Sequence, residues 1–92
     1  MKLISFSIIT PSASASYQVE WIEIEGQSGT FFVGLDHAPL ISIVKHRGLI
    51  AFKEAGLPAT ELICPQGTFC INANQATLIS DDLPSSPQEQ KS

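Results

Sequence analysis

Apolar residues recur at every second position along this chain, in short runs, and almost nowhere at the spacing of an amphipathic helix. Ile4, Phe6 and Ile8 alternate with Ser5 and Ser7, and later β-branched and aromatic runs are separated by Gly, Pro, Asn and Asp. Such a chain can bury one face of each run only as strands joined by turns, so the expected fold is all-β, a small flattened sandwich or barrel of about eight to ten short strands. Strands are predicted over residues 2–10, 17–25, 30–34, 38–45, 48–52, 59–64, 68–71 and 76–80. Residues 11–16 read as a loop, Gly26 and Gly29 bound a turn, and Pro39 is permitted only near a strand start or on an edge.

Along Gln18-Val19-Glu20-Trp21-Ile22-Glu23-Ile24-Glu25 the apolar positions are odd up to Trp21 and even from Ile22. A β-bulge absorbs that slip; without one, Trp21 or Ile22 would face outward. Strict alternation would put Glu23 and Glu25 on one solvent face and Glu20 on the other.

Ninety-two residues, 43% hydrophobic and 15% charged, suffice for one core and no more. The domain is expected over residues 1–83. Residues 84–92 carry no apolar side chain other than proline and are expected to form a disordered tail. A domain this small has thin stability and gains from a partner. A net charge of −4, with five Lys and Arg, argues against nucleic acid. No apolar run approaches the ~18–20 residues that span a bilayer as a helix. Lys2, the apolar residues up to Ile9 and the small residues Ser12 to Ala15 imitate a signal peptide, but Ser5 and Ser7 interrupt the run and the alternation favours a strand.

No local signature of catalysis is present: no Gly-x-Ser-x-Gly elbow, no phosphate-binding loop, and Gly26-Gln27-Ser28-Gly29 is simply a turn. Cys64 and Cys70, with five residues between them, match neither a redox pair nor a zinc knuckle, and adding His37 and His46 completes no zinc template. Lys45-His46-Arg47 reads as a solvated turn or a partner contact. The segment Gly34 to Leu40 places a histidine ahead of Ala-Pro on a loop between apolar strands, where a rigid sandwich commonly carries its functional contacts. Its bland alternative is a loop cap.

At this segment a resemblance enters. Asp36-His37-Ala38-Pro39-Leu40-Ile41-Ser42-Ile43-Val44-Lys45 resembles the Gly-His-Ala-Pro-Leu-Leu-Thr-x-Leu-Lys stretch of epsilon subunits of F-type ATP synthases. Ile9-Thr10-Pro11 is similar to that family's strand-ending Thr-Pro, and Gly26 to Val33 to its Gly-x-x-Gly turn and strand. Gly67 to Asp81 resembles its Gly-Phe-x-x-Val-x-x-Asn-x-Val-Thr-Val-Leu-x-Asp, with one extra residue between Gly67 and Phe69. The four motifs keep their order from about residue 6 to residue 82.

The resemblance implies the N-terminal β-sandwich domain alone, without the helical hairpin that follows it in many members. It implies a non-catalytic rotor subunit with no cofactor or metal, binding the gamma subunit and the c-ring and coupling ion translocation to ATP synthesis. Its place would be peripheral, on the cytoplasmic face of the bacterial inner membrane or an equivalent energy-transducing membrane. Asp36, His37, Ala38, Pro39, Leu40 and Lys45 would carry the partner contacts. Two departures alter those contacts: Leu35-Asp36 stands where the family commonly has Pro-Gly, and Lys45-His46-Arg47-Gly48 where it has Lys-Pro-Gly. They leave open a free-standing binding or regulatory module derived from the same family, and a secreted domain bridged by its two cysteines is a third reading.

Overall fold

The structure is a computed structural model that describes residues 2–86. Eight strands form in chain order: β1 (Ile4–Ile9), β2 (Ser14–Gly26), β3 (Gly29–Val33), β4 (Leu40–Ile43), β5 (Gly48–Glu54), β6 (Thr60–Cys64), β7 (Gly67–Asn72) and β8 (Gln75–Ser80). They hydrogen-bond into one sheet in the order β4-β7-β8-β1-β2-β5-β6, with β3 pairing on β2. The sheet curls over on itself into a half-barrel, so both of its halves turn their apolar sides to one core. All neighbours are antiparallel except β1 and β8, which run parallel.

The curl depends on β2. Its first part, Ser14 to Val19, pairs with β1, and its last part, Ile22 to Gly26, pairs with β3; β5 follows it from Val19 to Ile24 on the other edge. The β2–β5 register shifts between Val19 and Trp21, which is the expected bulge, with Glu20 as the extra residue. Val19 and Ile22 are therefore both buried, while Trp21 is half-buried and packs against Phe32 with ring centroids 5.6 Å apart. The bulge also corrects the expected placing of Glu20. Its carboxylate lies 3.9 Å from the ammonium of Lys53, the residue paired with Trp21, so Glu20 shares the outer face with Glu23 and Glu25.

A second difference concerns residues 11–16. Serine and alanine carry weak strand preference, yet Ser14 to Ser16 extend β2 because β1 offers them a full ladder, with Ser7 and Ser16 hydroxyls 3.4 Å apart. Only Pro11 to Ala13 turn, and Thr10 holds that turn by accepting from the Ala13 amide on its hydroxyl at 3.1 Å. β4 is shorter than the predicted 38–45. Past Ile43 the Val44 amide still donates to the Gly67 carbonyl of β7 at 3.0 Å, but Val44 also bridges to Gly26, and the regular ladder ends there.

Alternate residues of the strands supply the core: Ile4, Phe6 and Ile8 from β1, Val19, Ile22 and Ile24 from β2, Ile50 and Phe52 from β5, Phe69 and Ile71 from β7, Leu78 from β8. Phe6 stands at its centre. Its ring lies 5.3 Å from Phe52 on the β5 side and 6.3 Å from Phe69 on the β7 side, both edge-on, so one side chain joins the two halves of the curled sheet. The expected tail falls largely on residues 87–92, outside the described residues; within it, Ser85 pairs with Ile63 on β6 through two backbone hydrogen bonds of 2.7 and 3.2 Å.

Phe6→Ala is expected to lower the unfolding free energy by about 3–5 kcal/mol, read as a fall in the urea midpoint, because the vacated ring space lies between two halves that cannot both collapse into it. A loss below about 1 kcal/mol would show that the halves are held together elsewhere.

Candidate functional site

The segment singled out in the sequence lies between β3 and β4 at one end of the sandwich. Asp36 adopts a left-handed backbone with φ of 62°, the conformation for which glycine is the default residue, and the His37 amide donates back to the Gly34 carbonyl at 3.3 Å. Asp36 reaches across to the β7–β8 hairpin. Its amide donates to Asn74 Oδ1 at 2.7 Å, and Asn74 Nδ2 donates to Asp36 Oδ1 at 3.0 Å. His37 is half-buried with Nδ1 2.6 Å from the Ala38 carbonyl oxygen, while Ala38 and Pro39 are exposed. Leu40 starts β4 opposite Ile71 and packs partly against the core.

Lys45 is elsewhere. The four residues of β4 span roughly 13 Å, and Lys45 lies beyond their far end. There the Glu25 carboxylate organises the turn into β5. Its Oε1 accepts from the Leu49 amide at 2.9 Å, and its Oε2 lies 3.5 Å from Lys45 Nζ. The Lys45 amide donates to the Glu25 carbonyl at 2.9 Å and the Gly48 amide to the Lys45 carbonyl at 2.7 Å. A Cβ on Gly48 would lie 2.7 Å from that same carbonyl oxygen and 2.8 Å from the Glu25 carbonyl oxygen, which is why the turn closes on glycine. The six sequence-selected residues therefore divide: Asp36 to Leu40 form one group at one end, and Lys45 belongs to the other.

A surface that the sequence did not single out connects the two ends. None of β1, β4, β7 and β8 contains an Asp, Glu, Lys, Arg or His, whereas β2, β5 and β6 carry Glu20, Glu23, Glu25, Lys53, Glu54 and Glu61. Registers place Ile43, Thr68, Ile79 and Ile9 in one row across the outer face of the uncharged half. Ile41, Cys70, Thr77 and Ser7 form the next row. Ile9, Ile41, Ile43 and Ile79 are 41%, 77%, 54% and 55% exposed. A shallow groove of about 660 Å³ runs over the first row, with Pro11 and Thr68 among its lining and Asp81 at its rim. The clue in the sequence was the absence of charge from four separate segments, but their assembly into one face depends on register, which no local pattern displays.

The cysteines do not meet. Cys64 is buried among core residues, its thiol 3.6 Å from the Ser80 hydroxyl, and burial pushes its pKa up; Cys70 lies half-buried on β7, and both thiols are free. Among the described residues no three His, Cys, Asp or Glu converge as metal ligands, and no helix is long and apolar enough to cross a membrane.

No protein-family model and no curated protein matches the chain. Solved structures do. A chain of the Euglena gracilis mitochondrial ATP synthase, in its OSCP/F1/c-ring assembly in rotational state 1, superposes with a TM-score of 0.81 at 12% identity over 91% of this chain and 54% of that one. A chain of the Tetrahymena thermophila mitochondrial ATP synthase central stalk/c-ring assembly superposes with a TM-score of 0.80 at 9% identity over 100% of this chain and 72% of that one. The chain thus has the fold of components of ATP synthase stalk and ring assemblies, and spans about half the length of the Euglena chain. At these identities the likeness is one of fold.

The hydrogen bond donated by the Leu49 backbone amide holds the Glu25 carboxyl below its ordinary range; desolvation opposes that shift and Lys45 adds to it. The unfolded chain then takes up the proton first as pH falls, so this stabilisation is present above the ordinary glutamate value of 4.5 and is lost as pH drops through the lower folded value. Urea midpoints of wild type and Glu25→Gln should differ at neutral pH and converge in acid. Curves that stay parallel would contradict it.

Proposed function

We propose that this chain is a non-catalytic epsilon-type rotor subunit of a rotary ATP synthase, binding a gamma subunit through its uncharged sheet face and resting on the c-ring through the 36–40 loop. The observation that carries the reading is a sheet face whose four strands carry no charged residue and which bears four exposed isoleucines, on a fold shared with chains of ATP synthase stalk and ring assemblies. Interface centres are poor in charged residues, and a row of isoleucines left in water on so small a domain marks a contact surface. The charged half of the sheet would then face water, keeping the chain soluble as the rotor turns.

The division of the sequence-selected residues fits two partners. Asp36, His37, Ala38 and Pro39, with Leu40 anchoring them to the core, sit where a ring would be met end-on. Lys45 follows Ile43 by two residues, its ammonium 3.5 Å from the Glu25 carboxylate, and would border the gamma contact from that end. In this reading the subunit performs no chemistry. It transmits torque between ring and shaft and sits peripherally on the cytoplasmic side of an energy-transducing membrane.

Purified with its cognate gamma subunit, the chain should co-elute as a complex; failure to bind either gamma or a gamma–c-ring assembly would overturn the proposal. Ile79→Asp should weaken gamma binding by about 10- to 100-fold while leaving the melting temperature within a few degrees, since Ile79 is exposed. His37→Asp should leave gamma binding intact and reduce proton pumping driven by ATP hydrolysis, and unchanged pumping would remove the 36–40 loop from the ring contact.

A further inference from the structure

Beyond one backbone hydrogen bond of its own, from the His37 amide to the Gly34 carbonyl, the loop that carries His37 is held from a distant segment of the chain. We propose that Asp36 and Asn74 form a lock that fixes this loop to the β7–β8 hairpin, so that the docking element at this end is a composite of both segments; the docking part rests on the rotor reading above.

Three observations converge on the pair. The two residues exchange reciprocal hydrogen bonds of 2.7 and 3.0 Å although they are 38 positions apart in the chain. Both have left-handed backbones, with φ of 62° at each, and Ala73 beside Asn74 has φ of 52°. Such conformations are unfavourable for most L-residues and least so for Asp and Asn, so the pair combines backbone tolerance with short polar side chains that reach one another. The hairpin is itself anchored, because the Asn74 carbonyl accepts from the Ser5 amide on β1 at 3.0 Å. Through Asn74 the loop is therefore tied to the central strands of the sheet.

The lock has little to do for the fold. Asp36 is exposed, its partners lie outside the core, and the neighbouring strands β3 and β4 have their own ladders on β2 and β7. Its effect falls on the exposed Leu35, Ala38 and Pro39, whose backbone is held in one arrangement before any partner arrives. A docking loop ordered in advance gives up less conformational entropy on binding than a mobile one. The lock also explains how aspartate serves at a turn position that otherwise calls for glycine: the side chain supplies the restraint, and the left-handed backbone remains.

Asn74→Gly separates the lock from the turn, because glycine keeps the left-handed conformation and deletes the amide. Asp36→Asn retains an oxygen to accept from Asn74 and the backbone amide that donates to it. The measurements are hydrogen exchange at the Asp36 and His37 amides of the full chain, melting temperature, and affinity for a gamma–c-ring assembly. Asn74→Gly should accelerate exchange at Asp36 about ten-fold and weaken binding about five- to ten-fold at nearly unchanged melting temperature. Asp36→Asn should resemble wild type in exchange and in melting temperature. Unchanged exchange in Asn74→Gly would overturn the lock, and faster exchange with undiminished affinity would overturn its docking role. A wild-type chain that binds no such assembly would overturn the rotor reading and the docking role together, and is told apart because the exchange result stands without a partner.

Discussion

β2 belongs to both halves of the molecule, and most of the architecture follows from how it does so. A strand that pairs with β1 over its first part and with β3 and β5 over its last must change direction between them, and the extra residue at Glu20 is where it turns. Because of that turn, Val19 and Ile22 both face inward and Phe6 meets Phe52 and Phe69 from opposite sides. Without it the alternation would run straight, one of the two apolar residues would face water, and the sheet would lie too flat to enclose a core.

Much of this was legible in the residues. The alternation of Ile4, Phe6 and Ile8 marked a half-buried strand, and the break at Trp21–Ile22 marked the bulge, since both express a two-residue period acting over a few positions. What escaped was whatever depends on a partner strand. Ser14 to Ser16 look like loop until β1 supplies a ladder, and Glu20 looks opposed to Glu23 until the bulge turns it to the same side. His37 and Lys45 share one motif in sequence, yet β4 carries them to different ends. Asn74 reads as a turn residue, and nothing near it in the chain points to Asp36.

The distribution of charge separates two tasks. β2, β5 and β6 bear Glu20, Glu23, Glu25, Lys53 and Glu61, which keep one face hydrated, while β1, β4, β7 and β8 build a face of isoleucine, threonine, serine and a half-buried cysteine. The two departures from the epsilon pattern fall outside both faces, in the turns. At each the structure supplies a substitute restraint: Asn74 for the aspartate at 36, and the close approach of Gly48 to the Lys45 and Glu25 carbonyls for the turn after Lys45.

On the rotor role proposed above, the uncharged face meets a rotating shaft. The most direct test of that role is an electron cryomicroscopy map of the synthase purified through an affinity tag on this chain. The account predicts density for the sandwich on the central stalk, with Ile9, Ile43 and Ile79 against the shaft and residues 36–40 toward the ring. A tagged chain that comes through without a synthase, or a synthase that carries it with those isoleucines turned to solvent, would contradict the account.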